Sequence, residues 1–123
     1  MPRLLIVDDE ADVREFAANL FRRRNIDVDT AANGKDALVK VENIKPELIL
    51  LDISMEGMDG IEVLERVKQI DQSIKVIMVT GKKGDEDEAF ERCKKAGALD
   101  YIHKPLILDE LERVVMNVLH KEA

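Results

Sequence analysis

The stretch Leu48-Ile49-Leu50-Leu51-Asp52-Ile53-Ser54-Met55-Glu56-Gly57-Met58-Asp59-Gly60 decides the fold. Its four consecutive apolar residues, Leu48 to Leu51, read as a strand covered on both faces, and a carboxylate, Asp52, stands where that strand runs out. Withdrawing such a charge from water costs on the order of several kcal/mol unless it is paired, so its position calls for a reason. Gly57 and Gly60, with Asp59 between them as a candidate N-cap, turn the chain into the helical pattern of Ile61, Leu64 and Val67. Asp52 is thereby expected at the carboxyl end of a parallel strand, the rim where open α/β sheets bind ligands.

The same alternation extends in both directions. Leu4 to Val7 form an apolar run ending in Asp8-Asp9-Glu10, and Val13, Phe16, Ala17 and Leu20 then recur at helical spacing, closed by Arg22, Arg23 and Arg24 where cations suit the helix dipole. Ile26 to Ala32 is a weaker strand, its Val28 and Thr30 alternating with Asp27 and Asp29 as an edge position allows. After the Asn33-Gly34 turn, Ala37, Leu38, Val41 and Ile44 give a second amphipathic helix, stopped by Pro46.

Beyond the central unit, Lys75 to Thr80 is another apolar strand ending in a polar residue, and Gly81-Lys82-Lys83-Gly84 reads as a mobile loop. Asp85 to Glu88 supply acids for the first turn of a helix through Ala89, Phe90 and Cys93, which Gly97 ends. Asp100 to His103 make a short last strand before Lys104-Pro105, and Leu111, Val114, Val115, Val118 and Leu119 mark the final helix. Five strand-helix pairs predict a doubly wound α/β sandwich: one parallel sheet with helices on both faces. Four of its strands are expected to be buried.

At 123 residues, one domain spanning 1–123 is expected, with 46% hydrophobic residues for its core and 37% charged residues to coat it. A net charge of -7 argues against direct nucleic-acid binding, which needs clustered Lys and Arg. No apolar run approaches the roughly 20 residues of a membrane span, and the N-terminal segment breaks too early for a signal peptide, so a cytoplasmic location is expected. The single cysteine, Cys93, excludes an internal disulfide and reads as an inert core thiol. His103 and His120 lack a partner at metal-ligand spacing and read as surface residues.

The predicted topology gathers Asp8, Asp9, Asp52, Thr80 and Lys104 on one rim. Converging carboxylates repel one another, and oxygen ligands without His or Cys favour Mg²⁺ as the neutralising cation. Lys104 offers a compact charge to one phosphoryl oxygen and Thr80 a hydroxyl to another, so the set suffices for phosphoryl transfer with Asp52 as nucleophile. The product is an aspartyl phosphate.

Asp8-Asp9, Asp52, Thr80 and Lys104-Pro105, in this order and spacing, resemble the receiver domain of two-component response regulators. The resemblance covers essentially the whole chain and implies a flavodoxin-like sheet of order 2-1-3-4-5. It implies that Asp9 and Asp52 hold Mg²⁺ directly, Asp8 through water, and Ser54 through its backbone carbonyl. It further implies a histidine kinase or histidine phosphotransfer protein as donor, a downstream protein as target, Thr80 and Tyr101 as a switch pair, and a cis bond between Lys104 and Pro105. One departure is Glu56, which stands where the family usually has proline after Met55 and which adds a carboxylate near the metal. Gly81 fits a position where a small residue is usual.

Two rivals share parts of this pattern. A Mg²⁺-dependent phosphatase of the haloacid dehalogenase type needs a second acid two residues after its nucleophile, and here Ser54 stands there. A flavodoxin-like cofactor module needs an uncharged phosphate-cradling loop, which Asp8-Asp9-Glu10 is not. The expectation is therefore a phosphoacceptor rather than an enzyme, either stand-alone, since the chain ends just past its last helix, or part of a larger regulator, and a monomer or weak dimer. Ser54 and Lys82, two residues after Asp52 and Thr80, are poor at orienting a hydrolytic water, so slow self-dephosphorylation is expected.

Overall fold

The computed structural model describes residues 3–55, 57–81 and 86–119, with the backbone alone for 86–89. The expectations for Glu56, Lys82 to Asp85 and His120 lie outside these residues. Five strands, β1 (Arg3–Val7), β2 (Asp27–Ala31), β3 (Leu48–Asp52), β4 (Lys75–Thr80) and β5 (Asp100–His103), alternate with α1 (Ala11–Arg22), α2 (Gly34–Ile44), α3 (Gly60–Ile70), α4 (Glu86–Ala96) and α5 (Leu108–Leu119). Every strand pair is parallel and the order is β2-β1-β3-β4-β5, as expected.

Because side chains alternate along each strand, the sheet carries one core on each face. Leu4, Ile6, Leu50 and Val79 pack with Ala17, Leu20 and Phe21 of α1 and Leu111 and Val115 of α5. Leu5, Val7, Leu51 and Met78 pack on the other side with Val41 of α2, Leu64 and Val67 of α3, and Cys93 of α4. Burial also pushes the Cys93 thiol above its usual pKa, consistent with an inert core residue.

Side chains cap the starts of α3, at Asp59 as expected, and of α2, at Asn33. Asp59 Oδ1 accepts from the N–H groups of Ile61 and Glu62 at 2.7 and 3.1 Å, and Asn33 Oδ1 accepts from that of Asp36 at 2.8 Å. Gly97 ends α4 with a φ of +102°.

Two expectations need correction. Phe16 does not belong to the buried face of α1: it is 42% exposed, and Phe21, fully buried, fills the interior instead. Five residues separate the two, about 140° around a helix, so the core can take only one of them. The last strand is not among the buried ones. Among the described residues β5 pairs with β4 alone and is an edge, with Ile102 buried, Tyr101 half-buried, and Asp100 and His103 exposed. Three strands, β1, β3 and β4, are interior.

Gly60 decides how closely α3 meets the end of β3. Its N–H donates to the Ile53 carbonyl at 2.9 Å, and a Cβ there would lie 2.2 Å from the Asp52 carbonyl oxygen and 2.7 Å from Ile53 Cα. Both obstacles are backbone, so neither can rotate away. Gly57, by contrast, has a φ of +88° with nothing within 4 Å of a Cβ. Gly60→Ala is expected to cost at least about 3 kcal/mol by forcing the helix off the strand, and Gly57→Ala only about 1 kcal/mol of backbone strain. Urea unfolding of the two variants checks this, and equal losses would contradict it.

Candidate functional site

Backbone hydrogen bonds continue past the strand ends and hold the loops of the carboxyl rim in register. The Asp8 N–H donates to Ala31 O at 3.2 Å, the Ile53 N–H to Val79 O at 2.9 Å, and the Lys104 N–H to Thr80 O at 2.7 Å. Since β1 and β3 are neighbours with Val7 opposite Leu51, the next residues, Asp8 and Asp52, emerge side by side. Neither can escape to water: Asp8 is 3% exposed and Asp52 2%. Asp9 is exposed, yet Asp8, Asp9 and Asp52 each bring a carboxylate oxygen within 4.8 Å of the others.

Lys104 reaches into this cluster from the loop after β5. Its Nζ lies 3.2 Å from Asp8 Oδ2, 3.2 Å from Asp52 Oδ2 and 3.8 Å from Glu10 Oε1. The remaining oxygens of the buried pair take backbone donors, Asp8 Oδ1 from the Glu10 N–H at 2.8 Å and Asp52 Oδ1 from the Ser54 N–H at 3.1 Å. The peptide bond between Lys104 and Pro105 is cis. One ammonium does not balance three carboxylates. Burial, and after it the charge of Asp8, push Asp52 up to about 6, against the opposing pull of Lys104 and the Ser54 N–H. Burial lowers the Lys104 pKa, but Asp52 and Asp8 outweigh it, so Lys104 ends above its usual value and stays charged. An all-oxygen cluster with this charge excess fits Mg²⁺.

Thr80 ends β4 and is 5% exposed. In register, Met78 is opposite Tyr101 and Thr80 opposite His103, so the period-two alternation puts Thr80 and Tyr101 on the same face of the sheet. The Tyr101 hydroxyl donates to Phe90 O at 2.8 Å, and its ring centroid lies 4.4 Å from that of Phe90. His103 is exposed, with its ring edge-on to Phe90 at 5.6 Å.

Asp8, Asp9, Asp52 and Lys104 are thus brought together, and Ser54 meets the site through its backbone N–H. Three further contributors are not evident from the sequence. Glu10, which stands there only as the last of three acids after the first apolar run, approaches Lys104; Phe90 supplies the acceptor for Tyr101; and Arg14 Nη1 donates to Asp8 O at 2.7 Å. Only Arg14 leaves a signal, a cation near the positive end of a helix.

The raised Asp52 pKa fixes the sign of a stability effect. A carboxylate at about 6 in the fold rather than the usual 3.8 costs nothing below about pH 4 and destabilises increasingly as pH rises through 6. In chelator at pH 7.5, Asp52→Asn is expected to be more stable than the parent by up to about 3 kcal/mol, with the gain vanishing near pH 4. Urea unfolding at both pH values checks this. A gain independent of pH, or a loss at pH 7.5, would contradict it.

The fold is shared with known proteins. Residues 4–116 match the response regulator receiver domain family. The chain is 38% identical over 117 residues to sporulation initiation phosphotransferase F of Bacillus subtilis, covering 95% of this chain and 93% of that protein. It is 35% identical over 121 residues to the alkaline phosphatase synthesis transcriptional regulatory protein PhoP of the same organism, with 97% of this chain matching 49% of that one. A CheY-like receiver domain structure from Methanospirillum hungatei superposes with a TM-score of 0.87 at 33% identity, over 99% of this chain and 97% of that one. The chain thus spans nearly all of the first relative and about half of the second. A family whose mechanism is phosphorylation on aspartate is matched along almost the whole sequence, and the chain belongs to the response regulator receiver domains.

Proposed function

We propose that Asp52 is the phosphoacceptor of a Mg²⁺-dependent signalling reaction, with a histidine kinase or histidine phosphotransfer protein as donor. The observation that carries this reading is the meeting of three carboxylates with the Lys104 ammonium at the end of β3. An Asp52 oxygen attacks the phosphorus of a phosphohistidine; the new P–O bond forms as the P–N bond breaks, and the imidazole leaves with the electron pair and is protonated by solvent. Lys104, already 3.2 Å from Asp52 Oδ2, follows the arriving phosphoryl group and pairs with one of its oxygens. The Thr80 hydroxyl donates to another. Asp8, Asp9, Asp52 and the carbonyl of Ser54 would hold Mg²⁺, which would supply neutralisation of the phosphoryl charge.

Movement of Thr80 toward the phosphoryl group is the switching step. Thr80 and Tyr101 share a face of the sheet, so a vacated volume at Thr80 lets the Tyr101 ring turn inward and release its bond to Phe90 O. The α4–β5 surface then reports the phosphorylation to a downstream protein. Residues 1–123 act as one receiver domain, a relay intermediate or switch rather than an enzyme, and a monomer or weak dimer. The relatives support both outcomes by name, one a phosphotransferase and the other a transcriptional regulatory protein. Among the described residues no helix is long and apolar enough to cross a membrane. The phosphatase alternative gains nothing from the family match, and Ser54 leaves it without an acid.

Incubation with a small acyl-phosphate donor tests the acceptor. Labelling is expected only with Mg²⁺ and to be lost in Asp52→Ala, while the labelled parent shows altered amide exchange across Phe90 to Tyr101. Stable labelling of Asp52→Ala, or labelling in excess chelator, would overturn the assignment; exchange changes confined to the acidic loops would overturn the switch alone.

A further inference from the structure

Arg14 stands one turn into α1, where the helix dipole disfavours a cation by about 0.3–1 kcal/mol. Asp9, Glu10 and Asp12 are near it in sequence, yet among the described residues Arg14 forms no ion pair with any of them. Its Nη1 instead donates to the backbone carbonyl of Asp8 at 2.7 Å, a short charge-assisted bond on half-buried atoms. With this bond every polar atom of Asp8 is engaged: N–H with Ala31 O, carbonyl with Arg14, Oδ1 with the Glu10 N–H and Oδ2 with Lys104. The Arg14 N–H in turn closes the first turn of α1 on Glu10 O at 3.0 Å. The guanidinium thus ties the last peptide of the β1 end to the helix that follows, across the turn carrying Asp8 and Asp9.

We propose that Arg14 is a positioning residue for the acidic pair: it fixes the β1–α1 turn so that both carboxylates face Asp52 before a cation arrives. The inference rests on the Mg²⁺ reading of that cluster. Two roles for Arg14 predict opposite signs. A positive charge acting only through space repels a cation, and its removal tightens Mg²⁺ binding. A positioning bond preorganises the ligands, and its removal weakens binding.

The test is a Mg²⁺ titration of the metal-free parent, Arg14→Met and Arg14→Lys, followed by amide chemical shifts, with the folded fraction of each checked by urea unfolding. Arg14→Met keeps the aliphatic stem and loses the donor; it is expected to bind Mg²⁺ about 10-fold more weakly than the parent while remaining folded. Arg14→Lys, which restores a donor, is expected to recover part of the loss. Unchanged or tighter binding in Arg14→Met, or an equal loss in Arg14→Lys, would overturn the positioning role and leave the metal site standing. No saturable binding by the parent would overturn both.

Discussion

Two carboxylates withdrawn from water beside each other, with one ammonium between them, form the constraint on which the rest of this structure depends. Asp8 and Asp52 are neighbours because β1 and β3 are paired in a register that sets Val7 against Leu51. A slip of one residue would turn each side chain to the opposite face of the sheet. The apolar strands behind them hold that register, and the rim bonds from Asp8, Ile53 and Lys104 carry it into the loops. Much of the hydrophobic stabilisation therefore supports a site that is itself destabilising. Such local conflict with an otherwise consistent sequence is expected where a protein acts.

The two ends of the site differ in how firmly they are held. Asp52 lies between an interior strand and a helix start that Gly60 brings to backbone contact, leaving no slack around the proposed acceptor. Tyr101 belongs to an edge strand, is half-buried, packs against the core of that face, and holds α4 through its hydroxyl bond to Phe90 O and its ring contact with Phe90. Edge elements with few buried contacts open at low cost, so the signal proposed to arise at Asp52 has a softer element nearby on which to act.

Much of this is legible in the sequence. The alternation of apolar runs and helical spacings points to the parallel sheet, and the polar residues ending those runs mark Asp8, Asp52 and Thr80. The expected N-cap at Asp59 and the strand order both hold. Periodicity misplaces Phe16 because Phe16 and Phe21 are alike in hydrophobicity, and only packing decides which one the core admits. It also counts β5 among the buried strands, since a strand's apolar content does not reveal how much of it the neighbouring elements cover. The bonds of Arg14 and Tyr101 end on backbone carbonyls, which every residue has, so no side-chain pattern identifies the acceptors.

The whole mechanism depends on Asp52 being the residue that forms the bond to phosphorus. Borohydride reduction of the phosphorylated chain converts an aspartyl phosphate to homoserine, and peptide mass mapping then locates it. Homoserine is predicted at position 52 alone, in a peptide that is unmodified when donor is omitted. Homoserine at position 8 or 9, or phosphate found on a serine, threonine or histidine with position 52 intact, would contradict it.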